Sequence, residues 1–181
     1  NLQKFMIVDI ILFAFIIFLI ALALTALVHI FFLVPYVPSK NRVVKEMIHL
    51  AKLKPHETVY DLGCGDGRLL IEASKKAKVI PVGFEIAPLV YVLAKLRTMF
   101  ASKRIQIRFQ SFFNANLRKA NVIFCYLIPN VMPRLADKIK KECKRGTRVI
   151  SNTFSIPGLK PYKILAKNAE KGMPTIYVYK V

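Results

Sequence analysis

The sequence predicts an α/β protein in which one transmembrane helix precedes a doubly wound, mainly parallel sheet of seven strands. Two observations point to this fold class. Strand-like and helix-like segments alternate from residue 43 to the end of the chain, an order typical of parallel sheets with helices on both faces. An apolar stretch precedes these segments, and it is longer than a core helix requires. The 181 residues allow one domain of ordinary size.

The apolar stretch covers residues 10–28, and Thr25 is its only polar member. Fourteen of its 19 residues are Leu, Ile, Phe or Val. At roughly −0.3 to −0.6 kcal/mol each, these residues favour insertion into a bilayer by about 4–8 kcal/mol. After His29 the apolar character continues from Ile30 to Val34, and Pro35 is expected to end the helix. The alternatives are a cleaved signal peptide, with residues 21–23 as cleavage site, and a buried core helix.

Charge is concentrated after this stretch. Residues 1–39 contain one Lys and one Asp, whereas residues 40–181 contain 28 Lys and Arg against 9 Asp and Glu, which accounts for the whole net charge of +19. Because basic residues directly follow the span, we expect the C-terminal domain on the cytoplasmic side, or on the matrix side in a mitochondrion. The excess of positive charge favours contact with an anionic lipid surface or an acidic partner. Charge alone fits a nucleic-acid partner equally well.

The segments after the span are assigned in order. Residues 43–53 show helical spacing of apolar side chains, and Ser39 is the expected cap. The segments that follow are strand 58–62, helix 68–78, strand 79–85, helix 88–101, strand 105–109, strand 122–126, helix 132–143 and strand 148–154. Strand 105–109 alternates in polarity, whereas 122–126 is continuously apolar, as in a buried parallel sheet. Residues 162–166 and 175–181 are expected to pair antiparallel at the sheet edge.

A glycine-rich turn, DLGCGDG at residues 61–67, follows the first strand. It lacks the spacing of a dinucleotide fingerprint, and its acids would repel a phosphate. A cation would be attracted instead, and S-adenosylmethionine carries both a sulfonium and an α-ammonium group. Glu85, at the end of the second strand, is placed to accept both hydroxyls of a ribose. The predicted cofactor contacts of the turn are Asp61, Gly63, Cys64, Gly65, Asp66 and Gly67.

The three cysteines and three histidines show no metal-ligand spacing, so no metal site and no disulfide framework are expected.

Several segments also resemble a known family. They are VPYVPSKNRVVKEMIHLAKLKPHETVYDLGCGDGRLLIEA, VGFEIAP, YLIPNVMPRL and GTRVIS, and they extend over nearly the whole region after the span. They are similar to the membrane-anchored seven-β-strand protein lysine methyltransferases. That family includes the enzymes that modify the ATP synthase c subunit and the adenine nucleotide translocase, together with prokaryotic relatives.

The resemblance implies roles for further residues. Tyr36, Pro38 and Ser39 would form a flap over the cofactor, and Ser111 and Phe112 would contact adenine. This chain lacks the acid that methyltransferases commonly carry near that position. Tyr36, Pro129 and Asn130 would line the channel for the acceptor. Simpler alternatives are an interfacial anchor for Tyr36, a helix stop for Pro38 and a plain turn for Pro129 and Asn130.

The sequence therefore predicts three parts: a membrane anchor at residues 1–34, a flap and linking helix at 35–56, and a methyltransferase domain at 57–181. The expected acceptor is a lysine of a membrane or membrane-proximal protein. Methylation of a lipid or quinone-like molecule, methylation of nucleic acid, and cofactor binding without turnover are alternatives. Nucleic acid is disfavoured because the fourth strand does not end in the D/N-P-P-Y/F sequence typical of base-modifying amino methyltransferases.

Overall fold

The computed structural model describes the backbone of residues 2–32 and 36–181 and the side chains of residues 6–27 and 36–181. Pro35, the residue expected to end the first helix, lies outside this range, as do Leu33 and Val34.

Seven strands form a single sheet. Their bounds are β1 (Thr58–Leu62), β2 (Ile80–Glu85), β3 (Gln106–Phe109), β4 (Val122–Cys125), β5 (Arg148–Asn152), β6 (Lys163–Leu165) and β7 (Ile176–Lys180). Their order across the sheet is β3-β2-β1-β4-β5-β7-β6. The first five strands are parallel, β7 runs antiparallel to β5, and β6 runs antiparallel to β7. The predicted seven-stranded, mainly parallel sheet is confirmed.

Helices cover both faces of this sheet. They are α2 (Asn41–Ala51), α3 (Arg68–Lys76), α4 (Pro88–Ala101) and α5 (Met132–Glu142), and helix α1 (Leu2–Phe32) precedes them in the chain. The buried side chains of α2 and α3 share one apolar cluster with Ala94 of α4, and those of α5 belong to a second cluster on the opposite face. Short 3-10 turns at Phe112–Asn114, Leu117–Lys119 and Pro129–Val131 connect the later elements. This two-sided arrangement is the predicted doubly wound form.

Two local expectations are corrected. Ser39 does not cap α2, because Lys40 occupies the cap position and makes no side-chain cap hydrogen bond. The Ser39 hydroxyl instead accepts a hydrogen bond from the amide of Asn152 at 3.3 Å. Strand β5 ends two residues earlier than expected, because Thr153 has a φ of +69° and leaves the extended conformation.

Helix α1 projects from the domain. From Met6 to Leu27 it is long and apolar enough to cross a membrane. Its described side chains are mostly exposed, so the alternative of a buried core helix is wrong. Thr25 is the buried exception, and it lies against the start of α4.

Candidate active site

A cavity opens at the carboxyl ends of β1, β2 and β4. The strand order reverses between β1 and β4, and a doubly wound sheet opens a crevice at such a point. Loops from five parts of the chain converge there. Its main lining segments are residues 36–39, 63–66, 85–87, 110–113 and 125–127. The segment before α2, the glycine turn and three strand ends therefore form one site.

The glycine turn forms the floor of this cavity. The backbone N–H groups of Gly63 and Cys64 both donate to the carbonyl of Phe84, each at 3.0 Å, which fixes the turn to β2. Gly65 has a φ of +55°, and a Cβ there would lie 2.9 Å from the Tyr36 ring. A side chain at position 65 would therefore close the gap between the turn and the segment above it.

Gly67 lies at the edge of the site, and its predicted contact with the cofactor stays a prediction. It is not among the residues that line the cavity, and it occupies the N-cap position of α3 with a φ of +75°. A Cβ at this position would lie 2.6 Å from Cγ2 of Thr98 in α4. Gly67 therefore permits close approach of α3 and α4.

Asp61 supplies a buried carboxyl group at the end of β1. It is 6% exposed and lines the cavity. Burial, together with the nearby charges of Glu85 and Asp66, raises the pKa of this carboxyl well above its usual range. No hydrogen bond from the described part of the chain contributes to offset this shift. A cation brought into the cavity would stabilise the charged form, so the site favours a positively charged ligand.

Glu85 is held rigidly at the end of β2. One carboxylate oxygen accepts from the Gly65 N–H at 3.1 Å, and the other accepts from the N–H groups of Ile86 and Ala87 at 2.8 and 2.9 Å. A carboxylate has about four acceptor positions, so Glu85 retains capacity for a ligand hydroxyl. Its position is the one from which an acid contacts ribose in nucleotide-binding sheets.

Asp66 lines the cavity but is already paired. Its carboxylate accepts hydrogen bonds from the guanidinium groups of Arg68, at 2.7 Å, and Arg97. Burial would raise the pKa of Asp66, but the hydrogen bonds and charge of Arg68, together with the charge of Arg97, hold it below its usual value. Of the three predicted acids, Asp61 and Glu85 are therefore the ones free to receive a cofactor.

The segment before α2 covers the glycine turn, as a flap would. Tyr36, Val37, Pro38 and Ser39 all line the cavity. Arg68 holds the segment by donating to the Ser39 carbonyl at 2.8 Å. Burial and the charge of Asp66 raise the pKa of the Tyr36 hydroxyl, so this group is protonated near neutral pH. The structure thus brings Tyr36, Pro38 and Ser39 to the predicted place, and their contact with the cofactor stays a prediction.

The remaining predicted residues divide into two groups. Ser111 and Phe112 line the cavity beyond β3, where the Ser111 hydroxyl accepts from the Phe113 N–H at 3.3 Å. Pro129 and Asn130 are exposed and are not among the lining residues, although Leu127 and Val131 on either side of them are. That Pro129 and Asn130 line an acceptor channel remains a prediction.

Sequence reasoning missed Arg68, Arg97 and Tyr126. Arg68 and Tyr126 line the cavity, and both arginines engage Asp66. Arg68 follows the acidic turn directly, which is a signal that could have indicated an ion pair. Nothing in the local sequence indicates Arg97, because it is 31 residues from Asp66.

This fold and this site define the class of protein. A buried, unneutralised carboxyl group beside the glycine turn fits the α-ammonium group of S-adenosylmethionine, and Glu85 fits its ribose. The chain is a class I S-adenosylmethionine-dependent methyltransferase.

Comparison with known proteins gives the family. The model of the ANTKMT methyltransferase domain matches residues 61–163, and the chain belongs to this family. A protein-lysine N-methyltransferase of Saccharolobus islandicus (strain REY15A) is 38% identical over 149 residues, which cover 81% of this chain and 92% of that protein. The resemblance seen in the sequence is confirmed.

More distant relatives agree on the methyltransferase class. The adenine nucleotide translocase lysine N-methyltransferase of Mus musculus is 29% identical over 76% of this chain. The matched region covers 61% of the mouse protein's length. A solved structure, described as an RNA methyltransferase from Salinibacter ruber in complex with S-adenosyl-L-homocysteine, has a TM-score of 0.73 and 29% identity. This match covers 80% of this chain and 94% of that one. The predicted cofactor is confirmed.

The raised pKa of Asp61 predicts a pH dependence of cofactor binding. The cofactor's ammonium group favours the carboxylate, so binding should release a proton and affinity should rise with pH above the ordinary Asp pKa of 3.8. Calorimetry below pH 7 in buffers of different ionisation enthalpy measures this proton. Methylthioadenosine, which lacks the ammonium group, is the control and should release none. Equal proton release by both ligands would contradict the assignment.

Removing the Tyr36 ring should weaken cofactor binding. Tyr36→Ala uncovers the glycine turn, and we expect a loss of about 1–2 kcal/mol, or roughly five- to thirtyfold in Kd. Tyr36→Phe keeps the ring and should bind almost as well as the wild type. Calorimetric titration with S-adenosylhomocysteine measures both variants. If Tyr36→Ala changes membrane association and leaves Kd unaltered, Tyr36 is an interfacial anchor instead.

Proposed function

We propose that this enzyme is a protein-lysine N-methyltransferase that acts on a membrane protein or on a protein close to the membrane. The observation that carries the proposal is that helix α1 and the cavity lie close together along the sequence. Only a few residues separate the end of α1 at Phe32 from Tyr36, which covers the glycine turn. The lysine specificity named for the Saccharolobus and mouse relatives supports a lysine acceptor.

The residues of the site bind and orient rather than perform acid–base chemistry. S-adenosylmethionine supplies an electrophilic methyl group on a sulfonium, which a neutral amine can accept by in-line displacement. Asp61 would hold the ammonium end of the cofactor, and Glu85 would hold the ribose. Tyr36 and the segment to Ser39 would exclude water above the turn, and Leu127 and Val131 would provide an apolar path to the methyl group. Positioning of this kind supplies much of the catalysis in such a displacement.

The acceptor lysine must be neutral before it reacts. With an ordinary pKa of about 10.4, only about one lysine in ~2,500 is neutral at pH 7. An apolar entrance and a neighbouring sulfonium both lower the lysine pKa. Among the cavity side chains that the structure describes, none has an evident role as base, and we infer that the proton leaves through water.

Membrane attachment would bring the enzyme to its substrate. The 22 residues from Met6 to Leu27 would extend about 33 Å as a helix, which matches a hydrocarbon core of about 30 Å. Attachment restricts enzyme and acceptor to one surface and so raises their effective concentration. The basic residues after α1 favour a domain on the cytoplasmic or matrix side, where anionic lipid would attract it. In this proposal residues 1–34 are the anchor, 35–56 the flap and linking helix, and 57–181 the methyltransferase domain.

Labelling identifies the acceptor. The full chain in detergent is incubated with S-adenosylmethionine that carries a radiolabelled methyl group and with a membrane extract. We expect label in protein and, after acid hydrolysis, in methyllysine. Asp61→Asn is the inactive control.

The same experiment tests the alternatives. Label confined to lipid or quinone would overturn the lysine proposal. Label in RNA would also overturn it, an outcome suggested by the high positive charge and by the description of the Salinibacter structure.

A further inference from the structure

Helix α1 is fixed to the domain at a defined point. The Thr25 hydroxyl accepts a hydrogen bond from the Leu89 N–H in the first turn of α4, at 3.1 Å, and donates to the Ala21 carbonyl at 2.8 Å. Thr25 is 7% exposed, whereas its neighbours along α1 are mostly exposed. At 1.5 Å per residue, Thr25 lies about 3 Å from the end of the apolar segment at Leu27. The first turn of α4 therefore lies level with the end of the span.

The outer face of α4 is apolar. The helix buries Val90, Ala94 and Thr98, which are spaced four residues apart, against the domain. Its large apolar side chains on the other side are exposed, and the exposed fraction reaches 84% at Phe100. At 100° per residue they occupy an arc about 120° wide. We call this set the α4 apolar face: Val92, Leu93, Leu96, Met99 and Phe100.

A further exposed apolar side chain lies at the edge of the sheet. Phe109, at the end of edge strand β3, is 58% exposed, and its ring contacts that of Tyr91 at 5.2 Å between centroids. A cluster of large exposed apolar side chains such as the α4 apolar face marks an interaction site in a folded protein.

Positive charge surrounds this face. Lys95 lies beside it on the helix, and Lys103 and Arg104 follow the helix end, all three exposed. From residue 88 to residue 104 the sequence contains no Asp or Glu. An apolar face bordered by basic side chains is typical of helices that lie in the interface of an anionic bilayer.

We propose that the α4 apolar face docks into the surface of the same membrane that α1 spans. The proposal rests on the membrane attachment proposed above. The reason is that α1 contacts α4 at Leu89, one helical turn before Val92 and Leu93, the first residues of the α4 apolar face. Ala87 and Val90, at the start of α4, line the active-site cavity. Docking would therefore hold one edge of the cavity at the membrane surface, where it would meet a lysine just outside the bilayer.

Site-specific fluorescence tests this docking in the full chain. An environment-sensitive probe is attached to Phe100→Cys in vesicles of phosphatidylcholine and phosphatidylglycerol that contain a lipid with a nitroxide on its acyl chain. The matched control is Lys141→Cys, an exposed position on α5 on the opposite face of the sheet. A probe at Phe15→Cys reports on α1. We expect lipid quenching at positions 100 and 15 and a water-exposed probe at 141.

The outcomes separate the two proposals. Quenching at 15 with a water-exposed probe at 100 would overturn docking and leave the anchor intact. Absence of quenching at both positions would overturn the anchor and docking together. A probe at 100 that is shielded from water but not quenched would show that protein covers the α4 apolar face, which also overturns docking.

A functional arm uses the charge variant Leu96→Glu. The added charge should oppose insertion of α4 into the bilayer. It should therefore lower the rate of methyl transfer to a membrane acceptor, and S-adenosylhomocysteine binding should stay unchanged. Lys141→Glu is the control and should leave both unchanged. An unaltered rate for Leu96→Glu would count against docking.

Discussion

Asp61→Asn is expected to abolish methyl transfer at ordinary cofactor concentrations. The amide keeps the size of the side chain but removes the negative charge that would meet the cofactor's ammonium group. Loss of one partner from a buried, hydrogen-bonded charge pair costs about 2–5 kcal/mol, or roughly thirtyfold to several thousandfold in affinity. Calorimetry with S-adenosylhomocysteine and a radiolabel transfer assay measure the effect. Asp137→Asn, at an exposed position on α5, is the control and should bind normally.

The same substitution should stabilise the ligand-free protein. Because the folded state raises the pKa of Asp61, that state binds the carboxyl proton more tightly than the unfolded state does. This contribution to stability is complete below the ordinary pKa of 3.8 and is lost as the pH rises through the raised value. At pH 7 the wild type therefore carries a penalty that Asn lacks.

Thermal unfolding measures this penalty. The Tm of Asp61→Asn should exceed that of the wild type at pH 7, and the difference should shrink as the pH falls. A Tm difference that does not vary with pH would show that Asp61 is hydrated in the free protein. A gain in stability with a loss of activity would mean that the site stores unfavourable charge for the ligand to neutralise.

Gly67→Ala is expected to destabilise the fold strongly. A side chain at a φ of +75° costs about 1–2 kcal/mol. The new Cβ would also lie 2.6 Å from Thr98 Cγ2, and overpacking of this kind costs about 1–3 kcal/mol. Together these effects should lower Tm by about 5–15 °C. Thermal unfolding of the ligand-free protein provides the measurement.

Two variants separate strain from overpacking. Gly146 has a φ of +90° and nothing within 4 Å of an added Cβ, so Gly146→Ala should show the strain alone. Thr98→Ser keeps the hydroxyl that donates to the Ala94 carbonyl at 2.7 Å but removes Cγ2. The double variant of Gly67→Ala with Thr98→Ser should regain the stability that is lost through overpacking. If adding Thr98→Ser restores no stability, the close approach of α3 and α4 does not explain the need for glycine at position 67.

The sequence predicted most of the fold because its signals are local. The continuous apolar strand β4 and the helix from Pro88 to Ala101 follow from periodicity within a few residues. The glycine turn and Glu85 could be predicted because each directly follows a strand. The sequence also predicted that the last two strands pair with each other. It did not place β7 between β5 and β6, since that position depends on pairing between distant segments.

The active site divides in the same way. Asp61 and Glu85 were identified from their positions along the chain. The pairing of Asp66 with Arg97 and the cover that Tyr36 forms over Gly65 depend on side chains that meet only after α4 and the segment before α2 have packed. Gly67 shows the limit most clearly, since the sequence indicated only a cofactor contact, whereas its close approach to Thr98 of α4 became visible only in the structure.

The sequence by itself determined the succession of strands and helices along the chain, the apolar stretch and the acidic glycine turn, because these depend on the chemistry of neighbouring residues. Only the tertiary structure decided which face of α4 is buried. Val90 and Leu93 are equally apolar and belong to the same helix, so no local pattern separates them. Packing against the sheet buries Val90 and leaves Leu93 exposed, because one side of a helix can face the core while the other faces outward.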